Sequence, residues 1–163
     1  MNAQQALKTG IASSEMVSDS YLKDLTDSEL MVRVVPGINH IAWQLGHLIV
    51  GEHDMINMVR PNSMPELPAG FREKHDRGTN TSDDAKAFCS KAEYVAAMKK
   101  QRAGTLAVLD KLSEADLDQP APEPLRNFLK TVGEVFSMQG SHWMMHAGQW
   151  AVVRRKLGRA PLF

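Results

Sequence analysis

The stretch "QGSHWMMHAGQW", residues 139–150, sets the reading of the whole chain. It reads as helix, and it holds two of the chain's six histidines, His142 and His146, four positions apart. Each helical residue advances about 100°, so positions four apart differ by only about 40° and project from one face, one turn apart. Upstream, Thr131-Val-Gly-Glu134 matches a capping box that opens this helix; downstream, Gly158 followed by Pro161 closes it near Leu157. Two imidazoles so placed suit chelation of one ion. They equally suit a pair of packed core histidines, and the spacing alone decides neither.

Helical periodicity recurs in three further segments. The first helix is expected over residues 2–25, with Leu7, Ile11, Met16 and Leu22 as apolar positions. A short turn or helix follows at "TDSELM" (26–31), where Thr26 and Ser28 offer capping oxygens, and Pro36-Gly37 then breaks the chain. The second helix begins near Asn39, a good N-cap, and runs to about Val59, where the proline-rich "RPNSMPELPAG" (60–70) stops it. An irregular stretch continues to about residue 89, a length that in a compact domain usually carries function or mobility. Ser90-Lys-Ala-Glu93 is a second capping-box match, so the third helix starts there and runs to about Leu112; "SEADLDQPAPEP" (113–124) is a polar connection. Alternating β-branched runs are scarce. The expected fold is therefore all-α: a four-helix bundle forming a single domain over residues 1–163, with connections long enough for crossovers.

Bulk composition narrows the function. Lys+Arg and Asp+Glu both number 19, so the net charge is zero and the basic excess of a nucleic-acid binder is missing. The one dense basic run, "RRKLGR" (154–159), ends the last helix, where cations complement the helix dipole. Cys89 is the single cysteine, which excludes an internal disulfide and fits a reducing compartment. "MNAQQALKTG" lacks the apolar core of a signal peptide, and "IAWQLGHLIV" (41–50) is too short to span a bilayer. A cytoplasmic protein that engages neither membrane nor nucleic acid is expected.

The second helix bears on the histidine pair. Counted at 100° per residue, His47 shares a stripe with His40, Trp43, Gln44, Val50, Gly51 and Asp54, which faces the way the bundle core should, with Gly46 and Gly51 thinning the wall beside it. Three buried imidazoles without partners would each cost about 1–3 kcal/mol, and a shared cation removes that cost. His40 lies two turns from His47, about 10 Å along the axis, and has its place near the helix start instead. His53 points to another face and His75 lies in the long connection, so neither is assigned to the metal.

At these residues the chain resembles the DinB/YfiT-like superfamily of metal-dependent four-helix proteins. The resemblance is carried by "NHIAWQLGHL" (39–48), "HWMMHAGQWAVVRRKLGRAP" (142–161) and the "KLSEADLDQP" connection (111–120), and covers nearly the whole chain. It implies a facial metal triad of His47, His142 and His146, a nonstandard helix order and a homodimer. Characterised members of that superfamily include transferases and isomerases that use a low-molecular-weight thiol.

Three neutral imidazoles leave a divalent cation its full charge and an open position, the arrangement of a catalytic rather than a closed structural site. Zinc and nickel lead the expectation, with iron and manganese compatible. Such an ion lowers the pKa of bound water toward about 7 or stabilises a thiolate. The expected functions are a thiol-dependent transferase or a hydrolase acting on a small molecule. The alternative is a non-catalytic homodimer that binds a metal or small ligand. Gln44, Asp54, Gln139 and Gln149 are candidates to orient the imidazoles. Met138, Met145, Trp43, Trp143 and Trp150 read as packing bulk, and Phe71 with the rest of 60–89 as a pocket rim. A ferritin-like di-metal site needs Glu-x-x-His, which occurs nowhere in the chain.

Overall fold

The computed structural model describes residues 1–163. Four long helices carry the fold: α1 (Ala3–Leu22), α2 (Ile41–Val59), α4 (Lys91–Leu109) and α6 (Val132–Lys156). Single-turn helices α3 (Phe71–Lys74) and α5 (Glu114–Leu117) sit in the connections between them. No strand forms, and no helix is long and apolar enough to cross a membrane.

Local chemistry sets the helix starts. Ser90 and Glu93 form the expected reciprocal capping box of α4: the Ser90 hydroxyl accepts from the Glu93 amide, and the Glu93 carboxylate accepts from the Ser90 amide at 2.7 Å. At α6 only half of the expected box forms. Thr131 accepts from the Glu134 amide at 3.2 Å, while the Glu134 carboxylate reaches one residue further back, to the Lys130 amide at 2.6 Å. The cap of α2 is His40 rather than Asn39, its Nδ1 accepting from the Trp43 amide at 3.1 Å. Ser113 and Asp116 form a further box that opens α5.

The helix order departs from a simple up-down bundle. Helices α1 and α6 run parallel: Gly10 lies against Gly140, and Arg154 donates to the Tyr21 carbonyl near the other end. Helix α6 runs antiparallel to α2, as the pairs Gln44–Trp150, Glu52–Trp143 and Met55–Gln139 show. Helix α4 runs antiparallel to α1, with Gln4 donating to the Leu109 carbonyl and Lys91 to the Leu22 carbonyl. So α2 and α4 are parallel, and the order is up-down-down-up. Two parallel helices need a connection that travels back along the bundle, which is why residues 60–90 are long. That segment is ordered rather than irregular. It contains α3 and 3₁₀ turns at Arg77–Thr79 and Ala85–Ala87, and Gln101 and Lys100 of α4 hold its Pro65 and Glu66 carbonyls.

Two apolar clusters fill the interior. One gathers Leu22, Leu45, Leu48, Tyr94, Trp143 and Trp150, the other Ile11, Ile56, Leu109, Val135 and Phe136. Polar residues mark the boundary on every long helix: Ser14 and Ser18 on α1, Glu52 on α2, Arg102 and Thr105 on α4, Gln139 on α6, all buried. Glu52 accepts from the Thr105 hydroxyl at 2.6 Å and the Trp143 indole at 3.2 Å, and pairs with Arg102 at 3.2 Å. Burial pushes the Glu52 carboxyl upward, and the Arg102 charge opposes that shift. The Arg102 guanidinium lies over the Trp143 ring, 5.6 Å from its centroid.

The basic run at 154–159 does more than complement a dipole. Arg154 is buried and pairs with Asp24; Arg159 pairs with Asp24 at 2.9 Å and Glu29 at 2.6 Å. Lys156 donates to the Arg33 carbonyl at 2.8 Å. The run fastens the α1–α2 connection onto the end of α6, and Arg154 foremost holds the Asp24 carboxyl down at about 2.

Candidate metal centre

The site lies where α2 and α6 cross. Because His40 caps α2, its Nε2 is free to donate to the Ser82 carbonyl at 3.1 Å, tying the helix start to the long connection. Trp43 follows one turn later. Its indole N–H donates to the Asp76 carbonyl at 3.0 Å and the Thr79 hydroxyl at 3.1 Å, and its ring stacks on His47 with centroids 5.1 Å apart. His47 is thus set by the helix cap below it and by a packed indole beside it.

His142 and His146 face it from α6, one turn apart as the spacing requires. Ring centroids are 5.1 Å from His47 to His142, 5.7 Å from His47 to His146, and 5.0 Å between the α6 pair. One ligating nitrogen from each ring lies within 4.8 Å of the other two, and no further His, Cys, Asp or Glu joins the group. These are the nitrogens that would hold a single divalent ion. All three rings are half-buried rather than deep in the core. The central core stripe of α2 is Ile41, Leu45, Leu48, Ile49, Glu52 and Ile56, and His47 stands at its edge.

Burial holds all three imidazoles below their ordinary range. His142 and His146 fall to about 4, mainly through burial, with His47 lowering His142 further and His142 and His47 lowering His146 further. For His47 the second cause is the positive charge of Arg77, in the turn that Trp43 anchors. At neutral pH the site therefore presents three neutral rings with lone pairs available, the protonation state that metal binding requires. The donor set fits a divalent cation.

Of the residues expected to orient the imidazoles, Gln44 alone bonds one, and Gln149 bonds Gln44 in turn. The Gln44 side-chain oxygen accepts from His146 Nδ1 at 3.0 Å and from the Trp150 indole at 2.8 Å, and its amide nitrogen donates to the Gln149 side-chain oxygen at 3.1 Å. Asp54 instead holds Arg72 in a two-armed ion pair of 2.6 and 2.7 Å. Gln139 donates to the Val135 carbonyl at 2.8 Å, in the polar layer one turn before His142.

The remaining aromatic and histidine positions divide cleanly. Trp43, Trp143 and Trp150 are buried, as expected of packing residues, and Phe71 is buried in the core rather than at the mouth of the site. Met145 departs from the packing expectation, being 61% exposed. His53 bonds Gln101 and Asn57. His75 is buried, with Nδ1 at 2.7 Å from the Phe71 carbonyl and Nε2 at 2.7 Å from the Tyr94 hydroxyl. Gly46 was read as thinning the wall beside His47, but its missing side chain makes room for His75: a Cβ there would sit 2.0 Å from the imidazole. The sequence reading missed the Glu52–Arg102 pair. Its signal was available, since Glu52 interrupts the apolar stripe 45-48-49-52-56 and Arg102 stands within 98-102-105-109.

A solved structure, the crystal structure of a conserved protein from Enterococcus faecalis, shares this fold with a TM-score of 0.72. It is 17% identical, and the match covers 98% of this chain and 99% of that one. No curated protein sequence matches significantly. The family model described as the DinB superfamily matches residues 11–150, and the chain belongs to that superfamily.

Proposed function

We propose that the chain is a metal-dependent enzyme in which His47, His142 and His146 hold one divalent cation, zinc or nickel ahead of iron or manganese. The observation that carries this reading is the convergence of three neutral imidazoles from two helices within 4.8 Å, with no fourth protein ligand to cap the ion. When bound, such an ion supplies Lewis acidity to whatever small molecule occupies its remaining position. The chain's own residues do the rest: Trp43 packs flat against His47 and restricts its ring, Gln44 restricts His146, and the Arg77 turn borders the Trp43–His47 stack with positive charge. The Arg77 charge near His47 favours an anionic partner, which agrees with a thiolate cofactor and a transferase reaction; hydrolysis of a small ester or amide is the second activity proposed for the same site. Self-association as a homodimer belongs to this proposal, and sedimentation should report twice the 18.1 kDa chain mass.

One observation favours the non-catalytic alternative of a metal- or ligand-binding protein. An open groove of about 670 Å³ lies between α1 and α6 against Leu7, Gly10, Ile11 and Met144, and is lined by none of the three histidines. The test is to load the metal-free protein with zinc or nickel and screen low-molecular-weight thiols with electrophilic substrates. Turnover supports the transferase. Stoichiometric metal with neither thiol binding nor turnover contradicts it and leaves the binding protein.

A further inference from the structure

We infer that Gln44 is a positioning residue that locks His146 in its Nδ1–H tautomer and leaves Nε2 as the one lone pair of that ring available to the cation. The inference rests on the metal reading above for its purpose, but its evidence is a closed set of hydrogen bonds.

The logic begins at Trp150. An indole N–H can only donate, so the atom 2.8 Å from it on the Gln44 side chain must be the amide oxygen. That settles which way round the amide lies. The other end, the NH₂, then faces two acceptors, the Asn39 carbonyl at 2.5 Å and the Gln149 side-chain oxygen at 3.1 Å. A flipped amide would set donor against donor at Trp150 and acceptor against acceptor at Asn39. With the oxygen fixed, the ring nitrogen 3.0 Å away must be the donor, so His146 Nδ1 carries the proton. A neutral imidazole has one N–H and one lone pair, so Nε2 is unprotonated. A ring that ligates a cation is necessarily the neutral form, so its one lone pair is the one on Nε2.

Gln44 is 1% exposed and makes all four of the hydrogen bonds an amide can make. The partners come from two features of the fold: the chain before α2, and positions 146, 149 and 150 of α6. The side chain therefore fixes the register of α6 against α2 as well as the ring. His47 and His142 have no comparable hydrogen bond to protein and depend on stacking and on the ion for their orientation. His146 is the preorganised ligand of the three.

The test uses ¹⁵N-labelled, metal-free full-length protein at pH 7. Long-range ¹H–¹⁵N correlations of His146 should show the Nδ1–H tautomer. An Nε2–H pattern in the unaltered protein overturns the assignment. In Gln44→Met, of similar volume, the His146 pattern should shift toward the Nε2–H form that free histidine prefers. Zinc affinity, read by competition with a chromophoric chelator, should fall about 10–100-fold, as loss of such a partner does elsewhere. An unchanged tautomer in that variant overturns the proposal. Gln149→Leu, which removes a partner of the amide nitrogen only, should keep the Nδ1–H pattern. Should Gln44→Met not fold, the tautomer of the unaltered protein decides alone. Failure of the metal reading is distinguishable: there the unaltered protein shows the Nδ1–H ring and binds no zinc.

Discussion

At the scale of single residues, the three imidazoles are chemically prepared by being half-buried next to one another. Desolvation disfavours the charged ring, and each protonated neighbour would disfavour it further, so His142 and His146 remain neutral down to about pH 4. The consequence for stability has a definite sign. Between about pH 6.5 and 4 the unfolded chain takes up protons at these positions while the folded metal-free chain does not, so stability falls as the pH drops through that window and levels off above it. His40 and His75, also held below their ordinary range by burial, act in the same direction. Urea titrations of the metal-free protein should show a midpoint that is flat above pH 7 and declines toward pH 4, with a shallower decline in His142→Gln/His146→Gln. An identical decline in that double variant would place the effect elsewhere. The His142–His146 pair was legible in the sequence because the 100° helical advance converts His-x-x-x-His directly into geometry, whereas its junction with His47 came from the family resemblance. The His75–Tyr94 bond was not legible, because it joins a connection to a helix nineteen residues away, and no local period records such a contact.

At the scale of helices, α2 and α6 hold the site, and two features of their packing are open to direct test. Gly46 of α2 lets the His75 ring lie against the helix; a methyl there would sit 2.0 Å from the imidazole. Gly46→Ala should therefore displace His75, break its bond to Tyr94 and destabilise the protein by about 1–3 kcal/mol, despite the better helix propensity of alanine. A neutral or stabilising result in chemical denaturation would contradict that packing. The second feature is the polar layer between the two apolar clusters. Arg102→Met leaves the Glu52 carboxylate buried without its cation and should cost about 3–5 kcal/mol, whereas Glu52→Leu/Arg102→Met together should recover much of that loss. Glu52 was visible as a carboxylate in an apolar stripe. Arg102 was visible in the same way, but the pairing of the two was not, because bringing α2 against α4 depends on the helix order, which periodicity alone does not set. The Asn39 expectation failed for a similarly local reason: the neighbouring His40 offers a ring nitrogen that accepts from the Trp43 amide, and the helix begins one residue later.

At the scale of the molecule, the up-down-down-up order brings α2 and α6 side by side as antiparallel neighbours, the pairing on which the triad depends. The all-α class and the four long helices followed from spacing and capping signals in the sequence. The order did not follow from them; the long 60–89 segment was its one sign, and only the parallel relation of α2 and α4 explains that length. A cation shared by α2 and α6, as proposed, would tie together two helices separated by the 72 residues 60–131, so it should stabilise the folded state by mass action. At a free zinc concentration of about 100 times Kd the gain is about 2.7 kcal/mol, which for a chain of this size raises Tm by about 5–11 °C; a chelator should reverse the shift. The most direct test of the central claim is the metal content of purified, zinc-reconstituted and desalted protein, measured beside His142→Ala. The account predicts about one divalent ion per chain in the unaltered protein and almost none in the variant. Stoichiometric metal retained by His142→Ala, or none in the unaltered protein, would contradict it.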